Sequence, residues 1–272
     1  MLGAIAGDII GSRFEGGPPP PPGFPLFHPD CRFTDDTVCT VAVAAALLDG
    51  TDMAGTLRAF VRRHPDRGYG GMFLRWALDD AQGPYGSWGN GAPMRGAAVG
   101  WLTEEEADAR DLAALQANVT HNHPAAVAAA QAVAEAIVRF RRGDDVAAVR
   151  DHIARTYRYD LRPESALASS GFDVSAAGTT PAALAAAFEA EDWEAAVRTA
   201  VGLGGDTDTL ACITGAVAEA RFGLPAPVAA AARDHLAEDL AMVLTHFEAR
   251  VAAGPPGTQA AGAMHLPSGS GP

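Results

Sequence analysis

Apolar positions recur along this chain with a helical period. The segments 38–48, 125–141, 180–188, 193–201, 210–222 and 227–252 are alanine-rich, and their apolar residues fall three and four positions apart, which places them on one helix face. Gly, Pro, Asn and Asp punctuate the pattern at 16–25, 83–93, 143–145 and 223–225, where turns are expected. No series of alternating residues marks a set of strands. The pattern predicts an all-α fold, a compact multi-helix bundle forming one domain over 1–253. Beyond it the composition turns to Gly, Pro, Ser and Ala without periodicity, so 254–272 is expected to be a disordered tail. The five prolines at 18–22 predict a stiff, extended surface loop. In the first segment Gly3, Gly7 and Gly11 share one helical face, a pattern that permits close helix approach. Asp8 and Glu15 lie about two turns apart, so both can face an internal site. Glu15 directly precedes the Gly/Pro loop, which would carry it as a flap.

Charge narrows the function classes. With 20 Lys and Arg against 33 Asp and Glu, the net charge of −13 disfavours general nucleic-acid binding and anionic membrane surfaces. An anionic nucleotide stays compatible with it, provided metal ions, backbone N–H groups or helix N-termini supply local positive charge. Cys31, Cys39 and Cys212 are odd in number and lack metal-finger spacing, which fits reduced thiols and a cytoplasmic location. The first residues carry Asp8 within their apolar stretch, unlike a signal peptide. Apolar runs fall short of the roughly 18 residues that cross a bilayer. A monomer is expected.

Two acidic clusters carry the strongest chemical signal. Thr34, Asp35, Asp36 and Thr37 precede one alanine-rich helix; Asp206, Thr207, Asp208 and Thr209, after Gly204 and Gly205, precede another. Helix capping accounts for either cluster alone, since carboxylates and hydroxyls suit a helix start. Capping does not call for a pair of carboxylates flanked by hydroxyls at both places. If the two starts converge, four carboxylates face one another, and their repulsion raises pKa values or opens the fold unless cations intervene. Hard oxygen donors without His or Cys select magnesium, manganese or calcium over zinc. Two ions roughly 3.5–4 Å apart suit this inventory.

Five motifs in order resemble the ADP-ribosylglycohydrolase family, whose bacterial members include the dinitrogenase reductase-activating glycohydrolases. They are the Gly7-Asp8-Ile9-Ile10-Gly11 start with Glu15, Phe33-Thr34-Asp35-Asp36-Thr37, Ser87-Trp88-Gly89-Asn90-Gly91-Ala92-Pro93-Met94-Arg95, Thr120-His121-Asn122-His123-Pro124, and Gly204-Gly205-Asp206-Thr207-Asp208-Thr209. The resemblance covers the chain to about Gly223 and implies an all-α enzyme. In it Thr34, Asp35, Asp36, Asp206, Asp208 and Thr209 ligate two Mg2+, with Mn2+ a substitute. It also implies that the 86–94 loop and His121 hold ADP-ribose, through Ser87, Trp88, Gly89, Asn90, Gly91, Met94 and His121. Asn90 and backbone N–H groups would face ribose and diphosphate. Trp88 stands where relatives often carry another aromatic, and its ring suits adenine stacking better than a core role. His123 is expected to brace the following helix, and Trp76, Trp101 and Trp193 to be core.

The implied reaction is hydrolysis of the glycosidic bond between ADP-ribose and an acceptor, removing ADP-ribose from arginine or serine side chains of a modified protein. Glu15 and Asp36 are the candidates for activating water and assisting the leaving group, with Asp8 in reserve. Two alternatives compete. One is a hydrolase of another ADP-ribose conjugate or nucleotide. The other is a catalytically silent ADP-ribose-binding module, disfavoured because Glu15 and every candidate ligand are present.

Overall fold

A computed structural model of the chain describes residues 1–168 and 171–254. The helices run α1 (Leu2–Gly11), α2 (Asp35–Asp49), α3 (Met53–Arg63), α4 (Gly71–Leu78), α5 (Ala97–Leu102), α6 (Glu106–Asn118), α7 (Pro124–Arg141), α8 (Val146–Tyr157), α9 (Pro163–Ala166), α10 (Ala176–Glu189), α11 (Trp193–Gly202), α12 (Thr207–Phe222), α13 (Ala226–Asp234) and α14 (Glu238–Ala253). The fold is all-α; among the described residues the sole extended pairing is an isolated antiparallel bridge between Gly89 and Ser175. No described helix is long and apolar enough to cross a membrane. The tail, from 255 onward, lies outside the described residues. The prolines at 18–22 carry no helix and are mostly exposed.

Three helices form the centre, and composition explains why. Every residue of α1 is buried, as are 36–46 of α2 and 207–218 of α12. Helices apolar all round belong inside a domain. The α1 and α12 backbones touch along an antiparallel seam. A Cβ at Gly3, Gly7 or Gly11 would run into the carbonyl oxygens of Gly215, Ala211 and Thr207 respectively. Packing therefore accounts for the glycine spacing, as expected. Around this centre α10 and α11 lie against α12, and α7 bridges α6, α10 and α12. Trp76 and Trp193 are core residues, and Trp101 is half-buried against the core.

Two expectations about elements need correction. The pattern at 227–252 is two helices: α13 closes tightly, with His235 N–H bonding Ala232 O and Leu236 N–H bonding Arg233 O. The backbone extends at Ala237 and restarts at Glu238 and Asp239, acids that suit a helix start. Helix α10 begins at Ala176 rather than near Thr180. Ser175 caps it by accepting from Gly178 N–H at 3.0 Å, and Pro181 is carried inside. Helices α3, α4, α5, α6 and α8 are shorter or more polar, and they fall outside the segments marked by the alanine pattern.

Candidate active site

The α1/α12 seam and the start of α2 bring the two acidic clusters together. Thr209 Oγ1 donates to Asp36 Oδ2 at 3.2 Å, joining the N-termini of α12 and α2. Asp8, fully buried on α1, sits between them. Its Oδ1 accepts from Thr34 Oγ1 at 2.6 Å; its Oδ2 accepts from Thr34 N–H at 3.0 Å, Thr37 N–H at 3.1 Å and the Thr37 hydroxyl. Asp8 thus takes the Thr34 hydroxyl hydrogen, for which Asp36 Oδ2, 3.5 Å away, is a second and longer acceptor.

Capping does not explain Asp35, Asp36 or Asp206. Thr34 caps α2, accepting from Asp36 N–H at 3.3 Å, and leaves the carboxylates of Asp35 and Asp36 free of that task. Asp206 precedes α12 without capping it; its Oδ2 accepts from Asn90 Nδ2 at 2.7 Å. Asp36 Oδ1 is buried with no hydrogen-bond partner. Such an atom, among other carboxylates, is a cost that a cation would remove.

Two triads offer carboxylate oxygens within 4.8 Å of one another: Asp8, Asp36 and Asp208, and Glu15, Asp206 and Asp208. Asp208 belongs to both. The electrostatics record this crowding. Burial first, then neighbouring carboxylates, pushes Asp36 and Asp208 well above the ordinary range. Burial and then the Asp8 charge push Asp35 up to about 8. Burial also raises Asp8, against the bonds from Thr34 and Thr37 that favour its charged form. An all-oxygen, over-acidic, partly unsatisfied cluster fits a hard divalent cation.

Glu15 is exposed on the rim, and its position is tied down. Gly16 N–H bonds Gly205 O at 2.9 Å, linking the loop to the turn before Asp206. Gly204 and Gly205 take φ of +72° and +76°, and a Cβ at Gly205 would strike Gly171 O. The glycine pair thus permits the turn that presents Asp206.

A cleft of about 340 Å³ opens beside the acids. It takes in Glu15, Asp35, Asp36, Asp206, Asp208 and Thr209 together with Ser87, Trp88, Gly89, Asn90, Gly91, Met94 and His121. Thr34 lies behind this lining. The 88–90 strand-like stretch is held by Asn90 N–H to Val174 O at 2.9 Å and Ala176 N–H to Trp88 O at 3.0 Å. Trp88 is 52% exposed, which excludes a core role and leaves a ring face for a ligand. Asn90 commits its amide hydrogens to Asp206 and Thr179, so it braces the acids as well as lining the cleft. His123 caps α7, Nδ1 accepting from Ala125 N–H at 3.2 Å, in the bracing role expected of it.

Several lining residues went without a role in the sequence pattern: Gly68, Gly70, Met72, Phe73, Tyr85, Phe172 and Val174, and Arg95, which closes the 87–95 motif. The glycines around Tyr69 were a usable signal. The 171–175 segment carried none, because it acquires its place through contacts with distant turns, pairing with the 88–90 stretch and packing against Gly205.

A profile of the family described as ADP-ribosylglycohydrolase matches residues 1–256. ADP-ribosylhydrolase ARH3 of Danio rerio is 26% identical, with 82% of this chain and 82% of its own length aligned. For ARH3 of Homo sapiens the figures are 25%, 82% and 84%. A solved structure of an ADP-ribosylglycohydrolase-related protein complex superposes with a TM-score of 0.72 at 26% identity, covering 92% of this chain and 97% of that one.

Proposed function

The chain belongs to the ADP-ribosylglycohydrolase family, an enzyme of glycosidic bonds, and from that premise we propose that it removes ADP-ribose from arginine or serine side chains of modified proteins by magnesium-dependent hydrolysis. The observation that carries the metal dependence is the partnerless, buried Asp36 Oδ1 amid carboxylate atoms within 4.8 Å of one another. In this reading Asp35, Asp36, Asp206, Asp208, Thr34 and Thr209 hold two Mg2+, with Mn2+ able to substitute. Bound ions of this kind would supply Lewis acidity and fix the ribose hydroxyls.

The remaining work belongs to side chains. Trp88 receives the adenine on its exposed face, and the 87–91 loop with His121 receives the diphosphate and ribose. Glu15 brings a carboxylate oxygen from the rim to within 4.8 Å of those of Asp206 and Asp208. Its carboxyl, raised by partial desolvation and then by Asp206, is suited to hold a proton for the leaving group or to take one from water. Asp36 is the second candidate for that exchange. Positive charge developing on the sugar in an oxocarbenium-like state would be stabilised by the surrounding carboxylates. A guanidinium-linked arginine can depart as a neutral guanidine, whereas a serine alkoxide must be protonated as it leaves.

The test is release of free ADP-ribose from arginine-linked and serine-linked substrates, with magnesium and with chelator, by the wild type and Asp208→Ala. We expect magnesium-dependent release from one of them, reduced at least about 100-fold in the variant. Tight ADP-ribose binding without release from either would instead support the binding module or a different conjugate.

A further inference from the structure

Arg95 is completely buried, on the lining of the cleft. A guanidinium stays charged wherever it lies, yet among the described residues no carboxylate pairs with this one. Its Nε donates to Gln116 Oε1 at 2.6 Å, and its Nη2 donates to Gln116 O at 2.8 Å and to Thr120 Oγ1 at 2.9 Å. Nη1 has no partner. The Thr120 hydroxyl accepts from Arg95, and among the described residues the one acceptor placed to take its buried hydrogen is His121 Nδ1, 2.7 Å away; an Nδ1–H donating to the second hydroxyl lone pair would leave that hydrogen unpaired. A ring nitrogen that accepts cannot also carry the hydrogen, so in the neutral ring the proton sits on Nε2. That atom faces the 89–91 loop: a Cβ added at Gly91 would meet it at 2.8 Å. Burial, and then the Arg95 charge, hold the ring neutral by pushing its pKa down to about 2.

We propose that Arg95 is a positioning residue that acts through Thr120 to lock His121 as an Nε2–H donor facing the cleft, serving a negatively charged oxygen of the ligand. The charge of Arg95, answered only by neutral acceptors, favours an anion at the same place. On the functional reading above, that oxygen belongs to the diphosphate of ADP-ribose. The inference rests on that reading only for the choice of ligand; the tautomer is a property of the protein alone.

Nitrogen NMR of the full chain labelled at histidine reads the tautomer directly. Wild-type His121 is expected in the Nε2–H form and uncharged from about pH 5.5 to 8. Thr120→Val keeps the shape and removes the relay. It is expected to move His121 toward the Nδ1–H form and to weaken ADP-ribose binding roughly tenfold, with adenosine, which lacks phosphate, changing less than about twofold. Thr120→Ser should restore both readouts. A wild-type His121 in the Nδ1–H form overturns the proposal, as does a folded Thr120→Val protein with unchanged tautomer and affinity. A wild type that holds the Nε2–H form but binds no ADP-ribose upholds the relay and places the failure in the ligand assignment.

Discussion

At Glu15 an exposed carboxyl sits beside two buried ones, and that position distinguishes it from the other acids. It borders the cleft from a loop pinned by Gly16 to Gly205, so replacing its charge should leave the cluster in place. We expect Glu15→Gln to keep the thermal stabilisation given by magnesium while turnover falls about 100-fold. Equal turnover, measured as ADP-ribose release, would remove Glu15 from the chemistry. The acids were legible in the sequence because a doubled Asp with flanking Thr exceeds what a helix cap needs. Asp8 was harder to place. One acid in an apolar helix reads as a reserve group, and only the structure shows it accepting bonds from both Thr34 and Thr37. Arg95 closed the 87–95 motif without a role of its own, since its importance lies in having no acid beside it once folded.

Between α1 and α12 the packing leaves no room for a methyl group, and it is this seam that carries Asp8 to Asp208. Gly7→Ala places a Cβ against the Ala211 carbonyl, and we expect a loss of about 3 kcal/mol in denaturant unfolding, the upper end for overpacking. Gly202→Ala is the contrast: at the end of α11 its new Cβ meets nothing, and stability should hold or rise by up to about 1 kcal/mol. A Gly7→Ala protein as stable as the wild type would refute the seam as a determinant of the site. Long alanine-rich helices were readable from periodicity because their burial is nearly complete. The break between α13 and α14 was not, since no Gly or Pro marks 235–237 and helical residues continue on both sides. The pairing of 88–90 with 174–176 was also hidden, being a contact between distant turns.

The molecule folds around a concentration of negative charge, and among the described residues no arginine forms an ion pair with Asp8, Asp35, Asp36, Asp206 or Asp208. Asp8, Asp35, Asp36 and Asp208 all bind protons more tightly when folded than an ordinary carboxyl does. Their contribution is therefore fully present below the unfolded value of about 4 and is lost as pH rises through the folded values, about 8 for Asp35. Chelated protein should melt at progressively lower temperature from about pH 5 to pH 8, and magnesium should give back more at each step upward. A saturating ion near 100 times its dissociation constant would supply about 2.7 kcal/mol. Melting curves that fall equally with and without magnesium would contradict the cluster as a cation site. The seam has a further consequence, for how this sequence can change over time. A lost carboxylate leaves a gap that a neighbour can in principle refill, whereas the obstacle facing a side chain at Gly3, Gly7 or Gly11 is a carbonyl oxygen, which every amino acid supplies. Trimming Ala211 or Thr207 would not relieve it. A saturation scan with second-site suppressors should thus recover partners for the acids and none for these glycines, marking as immutable three positions that lie outside the cleft lining.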